Sequence, residues 1–292
     1  MALLTVENLT VTFPSRHGAT NAIEDVSIHV EPGEILGMVG ESGAGKSMTG
    51  AAIIGLLEPP GHISAGEIRL EGTRIDRLPP AEMRRIRGRR IGAIFQDPLT
   101  SLNPVLTVGE QLIETIRTHL PLSRAEARER AIDWLRRVGI PAPEKRIDTY
   151  PHQYSGGMRQ RVVIALALCA EPRLIIADEP TTALDVSVQA QIIALLRRLA
   201  RETGAAVILV THDMGVIAET ADRVAVMYAG RIVEVGPVAD VLTRPRHPYT
   251  SGLMASIPRI GPRPDILPQI EGAMPRPASR PAGCAFAPRC PR

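Results

Sequence analysis

The strongest constraint on the fold is a glycine-rich segment between an apolar run and a helical pattern. Residues 40–47 read Gly-Glu-Ser-Gly-Ala-Gly-Lys-Ser and match G-x-x-x-x-G-K-[ST]. The apolar run at residues 35–39 suits a strand buried on both faces, and a helix is expected over residues 47–57. Backbone N–H groups wrap a phosphate closely only where no Cβ blocks them. The pattern predicts a phosphate-binding loop; the alternative is a glycine-rich turn that binds nothing.

The residues of this loop have separate expected roles. The helix N-terminus adds about half a positive charge toward a bound anion. Lys46 is expected to reach the β- and γ-phosphates of a nucleotide, and the Ser47 hydroxyl to bind Mg²⁺. The predicted nucleotide contacts are Gly40, Glu41, Ser42, Gly43, Ala44, Gly45, Lys46, Ser47 and Met48.

Composition restricts the class of protein. The chain has 292 residues, of which 44% are apolar, enough for a buried core. Its longest apolar run, residues 162–170, is about half of what a membrane-spanning helix needs, and Glu7 interrupts the N-terminal segment before a signal-like stretch develops. Three cysteines make no disulfide framework, so a reducing cytosol is expected. A net charge of +3 and 3% aromatic residues do not mark a nucleic-acid binder. The composition predicts a soluble globular protein.

Strand and helix patterns alternate from the N-terminus to Val235, which is typical of an α/β fold. Residues 174–177 and 207–210 are apolar runs that suit further buried strands, and residues 224–235 read as a hairpin. Asp185 is the expected N-cap of a long amphipathic helix that ends at Gly204.

A stretch without strand patterns interrupts this alternation. Residues 97–160 read as mainly helical and contain two capping boxes, which begin at Thr107 and Ser123. This pattern indicates an inserted helical subdomain, which we assign to about residues 97–170.

The segment from Gly236 to the C-terminus differs in composition from the rest. It holds 12 of the 26 prolines and carries a net charge of +5, whereas the chain before it carries −2. This density of proline argues against regular structure. We predict a nucleotide-binding domain over residues 1–235 and a separate, basic C-terminal extension over residues 236–292.

Two carboxylates follow the apolar run at residues 174–177. Ligands bind at the carboxyl ends of parallel strands, where Asp178 and Glu179 are expected to lie. Asp178 suits a direct or outer-sphere Mg²⁺ role, and Glu179 is expected to orient and deprotonate an attacking water. The alternative is that both simply end a strand.

A second anion site is indicated by Ser155, Gly156 and Gly157, which stand at the start of an apolar helix. One nucleotide does not need two such sites from one chain, but two chains packed head to tail around two nucleotides would need them. The alternative is that Ser155 only caps the helix.

The ordered set of the phosphate loop, Gln96, residues 155–157, Asp178-Glu179, Asp185 and His212 resembles the ATPases of ABC transporters. The resemblance implies an α/β P-loop NTPase fold with a RecA-like core, an inserted helical subdomain, an antiparallel β subdomain and a Pro-rich C-terminal extension. It also implies binding and hydrolysis of ATP with Mg²⁺.

The same resemblance assigns further roles. It implies that Phe13 stacks on adenine, that Gln96 couples Mg²⁺ to the membrane subunits, and that His212 contacts the γ-phosphate. Residues 155–157 would meet the nucleotide of the opposing subunit, and Asp185 would lie across that interface. Tyr154 and Met158 depart from the common Leu-Ser-Gly-Gly-Gln signature, which affects packing more than the backbone donors.

Other segments resemble the peptide/nickel branch of these ATPases: residues 95–104, 155–161, 247–250 and 281–291. The resemblance implies a subunit that energises import of di- or oligopeptides; import of nickel or another solute is the alternative. Implied partners are two membrane permeases, a second ATPase subunit and an extracytoplasmic solute-binding protein, with this chain peripheral on the cytoplasmic face of the inner membrane. No nucleic-acid partner is expected. Two other classes of protein are alternatives: a non-transport ABC ATPase that acts on nucleic acid or ribosomes, and a module that binds ATP without hydrolysing it.

Cys284 and Cys290 allow two interpretations: a metal site completed by ligands beyond residue 292, or unpaired thiols. Some branch members hold an iron–sulfur cluster in this tail, but a cluster usually takes four thiolates, and only Cys284 and Cys290 are present here. A cluster on this chain is therefore not expected. Cys169 lies in an apolar helix and is expected to be a core residue.

Overall fold

The computed structural model describes residues 2–15, 18–182, 184–257 and 269–291. The strands are β1 Leu4–Ser15, β2 Gly18–Val30, β3 Ile35–Val39, β4 His62–Leu70, β5 Thr73–Arg74, β6 Ile91–Ile94, β7 Leu174–Asp178, β8 Ala206–Val210, β9 Arg223–Tyr228 and β10 Arg231–Pro237. The helices are α1 Lys46–Ile53, α2 Pro80–Ile86, α3 Pro98–Ser101, α4 Val108–His119, α5 Arg124–Arg137, α6 Pro143–Arg146, α7 Gly156–Leu168, α8 Val186–Thr203, α9 Met214–Thr220, α10 Val238–Thr243 and α11 Pro248–Ala255. Short 3-10 helices are Pro151–Gln153, Pro277–Ser279 and Ala287–Arg289.

The chain divides into two compact units. Unit 1 comprises residues 1–78 and 209–292, and unit 2 comprises residues 79–208. The boundary falls inside β8, so this strand begins in unit 2 and ends in unit 1. Each unit contains a part of the predicted α/β pattern.

Unit 1 contains a four-stranded antiparallel sheet in the order β2-β1-β4-β5. Leu4 of β1 is opposite Val30 on one side and Leu70 on the other, and these side chains are fully buried. The unit also contains β3, which pairs in parallel with β9, while β9 and β10 form the expected antiparallel hairpin. All five residues of β3 are buried, as the apolar run predicts.

Unit 2 is mainly helical, with β6 and β7 paired in parallel. Between β6 and β7, the described residues contain helices and no strand. Both expected capping boxes are present, with Thr107 at the start of α4 and Ser123 at the start of α5. Such N-caps each stabilise a helix by about 1 kcal/mol.

The predicted end of one helix is wrong. The helix after the phosphate loop ends at Ile53 rather than residue 57, because Gly55 takes a left-handed φ of 64°. Its N–H and that of Leu56 bond back to Ala52 and Ala51, which closes the helix end. Asp185 occupies the N-cap position of α8 and Gly204 the C-cap, as predicted, and the Asp185 side chain makes no capping hydrogen bond.

The expectation that the proline-rich extension lacks regular structure is also wrong. Helices α10 and α11 lie within it, with Pro237 at the N-cap of the first and Pro248 in the first turn of the second. Proline is compatible with these positions because it has no N–H to pair there. Residues 258–268 of the extension lie outside the described residues. Within the described part of the chain, no helix is long and apolar enough to cross a membrane.

Candidate active site

The phosphate loop of unit 1, residues 40–47, has a backbone that depends on glycine. Gly40 and Gly45 have φ values of 153° and 107°. A Cβ on Gly40 would overlap the carbonyl oxygen of Met227, and one on Gly45 would lie 2.6 Å from the side chain of Ile23. Side chains at these positions would displace the loop, so the glycines keep the close-fitting cradle that phosphate binding needs.

The Lys46 side chain lies inside this loop. It is buried, and Nζ donates to the carbonyl oxygens of Gly40 at 2.8 Å and Glu41 at 3.1 Å. Ser47 follows in the first turn of α1 and is exposed. The phosphate loop therefore encloses the Lys46 ammonium group and has the Ser47 hydroxyl at the start of α1. These are the two groups that the sequence predicts there.

His212 lies on an exposed turn after β8. The Thr211 N–H donates to the carbonyl oxygen of Met38 at 3.2 Å, which ties this turn to the end of β3 just before the phosphate loop. On the other side, Oδ1 of Asp213 accepts from the N–H of Gly215 at 2.7 Å and caps α9. The backbone on both sides of His212 is thus held at the same edge of unit 1 as the phosphate loop.

Phe13 is half-buried on β1, opposite Thr20. A Cβ on Gly61 would lie 2.5 Å from its ring atom Cζ, so the ring packs on the backbone at Gly61. Strand packing accounts for this contact, and adenine stacking stays a prediction.

In unit 2, the two strands before Gln96 and Glu179 are in parallel register, with Ile94 opposite Ala177. Each polar residue comes two positions after this pair, and Nε2 of Gln96 donates to Oε2 of Glu179 at 3.4 Å. The same oxygen accepts from Thr182 Oγ1 at 2.8 Å. The register of the sheet therefore brings Gln96 and Glu179 together.

Glu179 also has an unusual backbone. Its φ is 44°, in the left-handed region that residues with a side chain seldom adopt and that occurs more often at functional sites. Asp178, the last residue of β7, is half-buried beside it. Sequence reasoning missed Thr182, because a threonine in a turn has no pattern that marks it as a carboxylate partner.

Ser155 is the N-cap of α7, and its Oγ accepts from the N–H of Met158 at 3.3 Å. Ser155 and Gly156 are exposed, and a Cβ on Gly157 would lie 2.8 Å from Val188. Tyr154 is buried, and its hydroxyl donates to the carbonyl oxygen of Arg146 at 2.6 Å. Tyrosine at this position therefore anchors the segment by packing and leaves the helix start accessible. Asp185 is exposed at the start of α8.

The three thiols occupy different environments. Cys169 is buried, and this burial raises the pKa of its thiol to about 12. Cys284 is exposed with its Sγ 3.8 Å from Nε2 of His247, and Cys290 is half-buried. Among the described residues, no group of three or more His, Cys, Asp or Glu side chains could hold a metal ion.

Two residues without a predicted site role contact the phosphate loop. The Tyr249 hydroxyl accepts from the N–H of Glu41 at 3.0 Å, and Arg289 binds the Glu41 carboxylate at 3.0 Å. Both lie in segments that resemble the peptide/nickel branch, residues 247–250 and 281–291. No local pattern predicts these contacts, because the partners are 208 and 248 residues apart in the chain.

A glycine cradle between a buried strand and a helix in unit 1, and an acidic pair after a parallel strand in unit 2, define a P-loop nucleotide-binding protein. The family model described as "ABC transporter" matches residues 23–182. A second model, described as "Oligopeptide/dipeptide transporter, C-terminal region", matches residues 233–292. The chain belongs to the ABC transporter family and is an ATPase of that family.

Relatives match over nearly the whole chain. The oligopeptide transport ATP-binding protein OppD of Bacillus subtilis (strain 168) is 50% identical over 287 residues, which cover 98% of this chain and 80% of that protein. The dipeptide transport ATP-binding protein DppD of the same organism is 50% identical over 290 residues, 99% of this chain and 87% of that protein. A solved ATP-binding cassette, a dimer in a post-hydrolysis state bound to ADP and Pi, aligns with a TM-score of 0.72 and 30% identity over 80% of this chain and 98% of that one.

Proposed function

We propose that this chain hydrolyses ATP to energise an importer of di- or oligopeptides. The observation that carries the proposal is the arrangement of Glu179, whose Oε2 accepts from both Thr182 and Gln96 beside the end of β7. Two donated bonds orient a carboxylate for water activation. The names of the relatives, which are transport proteins for oligopeptides and dipeptides, support a peptide as the solute.

In this proposal, the residues of each unit have defined roles. Glu179 orients the attacking water and accepts its proton. Lys46 and His212 stabilise charge on the γ-phosphate, and the loop of residues 40–48 holds the other phosphate oxygens. Phe13 stacks on the adenine.

The residues proposed for Mg²⁺ fit this ion. Ser47, Gln96 and Asp178 offer hydroxyl, amide and carboxylate oxygens, the hard donors that Mg²⁺ prefers. Because Gln96 donates to Glu179 through Nε2, its amide oxygen is the atom proposed to bind the ion. When bound, Mg²⁺ neutralises charge on the β- and γ-phosphate oxygens.

The exposed start of α7 supports a second ATPase subunit as a partner. A helix N-terminus favours anions, and Ser155, Gly156 and Gly157 would face the nucleotide held by the phosphate loop of that subunit. Asp185 would lie at the same interface. The dimeric state of the solved relative supports a second ATPase subunit as the partner.

A groove in unit 2 is the proposed docking site for a permease. It has a volume of 390 Å³, and one of its lining residues is Phe95, which is next to Gln96 in the chain and 48% exposed. Its apolar lining suits one amphipathic helix from a cytoplasmic loop of the permease, which would place this chain on the cytoplasmic face of the membrane. The other lining residues are Gly88, Gly92, Ala93, Thr100, Ser101, Val163, Leu166 and Ala167. A solute-binding protein would deliver the peptide on the opposite side.

We retain residues 1–235 as the proposed nucleotide-binding domain, with the helical subdomain over about residues 97–170, and residues 236–292 as the extension. The match of residues 233–292 to a C-terminal transporter region supports this division.

The test is Glu179→Gln in the complex reconstituted with its permeases, partner ATPase and peptide-loaded binding protein. We expect ATP to bind with unchanged affinity, hydrolysis to fall about 10²- to 10⁴-fold, and labelled dipeptide uptake to stop. The matched control is Glu129→Gln, which removes an exposed carboxylate from α5 in the same unit. Hydrolysis at the wild-type rate in Glu179→Gln would refute its role, and wild-type hydrolysis that peptide does not stimulate would refute peptide import.

A further inference from the structure

We propose that the C-terminal extension neutralises an acidic residue of the phosphate loop, and that Arg289 thereby sets the affinity for nucleotide. The inference rests on the proposed binding of ATP by residues 40–48. Glu41 is the acidic residue of that segment, where a negative charge opposes an anionic ligand. Arg289 is its partner, and both lie in unit 1.

The contact between the extension and the loop involves both the side chain and the backbone of Glu41. Nη1 of Arg289 donates to the two carboxylate oxygens at 3.0 Å and 3.1 Å. The N–H of Glu41 donates to the Tyr249 hydroxyl at 3.0 Å. Two residues of the extension therefore hold the second residue of the loop.

Arg289 is fixed in place by its other bonds. Nη1 also donates to the Tyr228 hydroxyl at 3.2 Å, while Nη2 and Nε donate to the carbonyl oxygens of Ile270 at 3.1 Å and Glu271 at 2.8 Å. Its side chain is 6% exposed, against 31% for Glu41. Every guanidinium nitrogen of Arg289 has a hydrogen-bond partner. These bonds hold the positive charge at one position beside Glu41.

A buried aromatic cluster supports this position. The Phe286 ring lies 5.2 Å from that of Tyr228 and 5.5 Å from that of Tyr249, both edge to face, and Tyr228 and Tyr249 lie 4.6 Å apart. All three side chains are at most 2% exposed. The 3-10 helix Ala287–Arg289 follows Phe286 directly, so packing of that ring places Arg289 at the loop.

The extension contacts the loop region at a second place. Sδ of Met274 accepts from the N–H of Ala229 at 3.3 Å, and a Cβ on Gly43 would lie 3.4 Å from the Met274 methyl group. The turn after β9 is also hydrogen-bonded to the phosphate loop, because the N–H of Gly230 donates to the carbonyl oxygen of Ala44 at 2.8 Å. The extension therefore packs against the phosphate loop and against the turn that is bonded to it.

The sign of the effect follows from charge. With Arg289 present, the Glu41 carboxylate is paired and its repulsion of phosphate is offset. Without Arg289, the carboxylate remains in the loop unpaired and weakens binding. A purely structural role for Arg289 would instead give a loss of affinity that does not depend on the charge of Glu41.

The experiment measures the Kd for ATP of the full chain by calorimetry in four forms: wild type, Arg289→Ala, Glu41→Gln and the double variant. We expect Arg289→Ala to weaken binding about five- to tenfold, a factor typical of coupling between sites. We expect Glu41→Gln to tighten it about threefold, and the double variant to bind within about twofold of wild type. The loss in Arg289→Ala should also shrink at high salt, which screens charge.

The control is Arg244→Ala, which removes an exposed arginine of the same extension that pairs with Asp240. It should leave the Kd unchanged. A double variant as weak as Arg289→Ala, or an Arg289→Ala variant that binds like wild type, would overturn the proposal. If Arg289→Ala does not fold, the Kd of Glu41→Gln for ATP tests the proposal. ATP binding by Glu41→Gln that is unchanged or weaker than wild type would overturn the proposal. Wild-type protein that binds no ATP would refute the nucleotide site as well.

Discussion

Replacing Phe286 with alanine tests whether the extension is part of the packed core of unit 1. The side chain is 2% exposed and contacts Tyr228, Tyr249 and His247 through its ring. A buried aromatic side chain removes about 150–250 Å² from water, and at about 25 cal/mol per Å² this corresponds to about 4–6 kcal/mol. Measured Phe→Ala losses in cores are about 3–5 kcal/mol, which is the value we expect.

The assay is urea denaturation followed by circular dichroism, with Phe286→Leu as the matched control. Leucine keeps most of the apolar contact, so its loss should be about 1 kcal/mol. The alanine variant should also bind ATP more weakly, since Arg289 would lose its support. A loss below about 1 kcal/mol in Phe286→Ala would refute the packing argument and remove the basis for a fixed Arg289.

Two further predictions concern the loop and the extension. Lys46→Ala should weaken ATP binding at least about 100-fold, because charged hydrogen bonds to two phosphates contribute about 3 kcal/mol; unchanged affinity by calorimetry would contradict the phosphate-loop assignment. Burial lowers the pKa of His247 below its ordinary 6.5, so the unfolded chain binds a proton that the folded chain does not, and stability should fall as pH drops through about 6.5. His247→Asn keeps an acceptor for the Tyr249 N–H, and thermal denaturation between pH 5 and 8 should show a shallower fall; an identical pH dependence would contradict the assignment.

Local patterns predict local structure well in this chain. The buried strand β3 follows from five consecutive residues that favour burial on both faces, and the helix starts at Thr107 and Ser123 follow from side chains three positions apart. The end of α1 is less predictable. The apolar pattern continues to Leu57, but Gly55 adopts a left-handed conformation and ends the helix earlier.

The composition of the extension predicts its charge and proline content but not its place in the fold. A net charge of +5 and 12 prolines suggest a separate, irregular segment. In the structure, two arginines of the extension are largely buried in ion pairs, Arg280 with Glu24 and Arg289 with Glu41. A net charge does not show which residues pair. The acidic partners of these two arginines, Glu24 and Glu41, lie near the N-terminus, at the opposite end of the sequence.

The class of this protein can be read from its sequence, because the phosphate loop, the acidic pair and the helix caps depend on residues close together in the chain. Which side chains meet across the fold follows only from tertiary packing. The contact between Gln96 and Glu179 depends on the register of two parallel strands. Glu41 and Arg289 are 248 residues apart, and they meet beside the buried Phe286. Such contacts arise only when distant segments pack, since packing and not sequence spacing sets their distances.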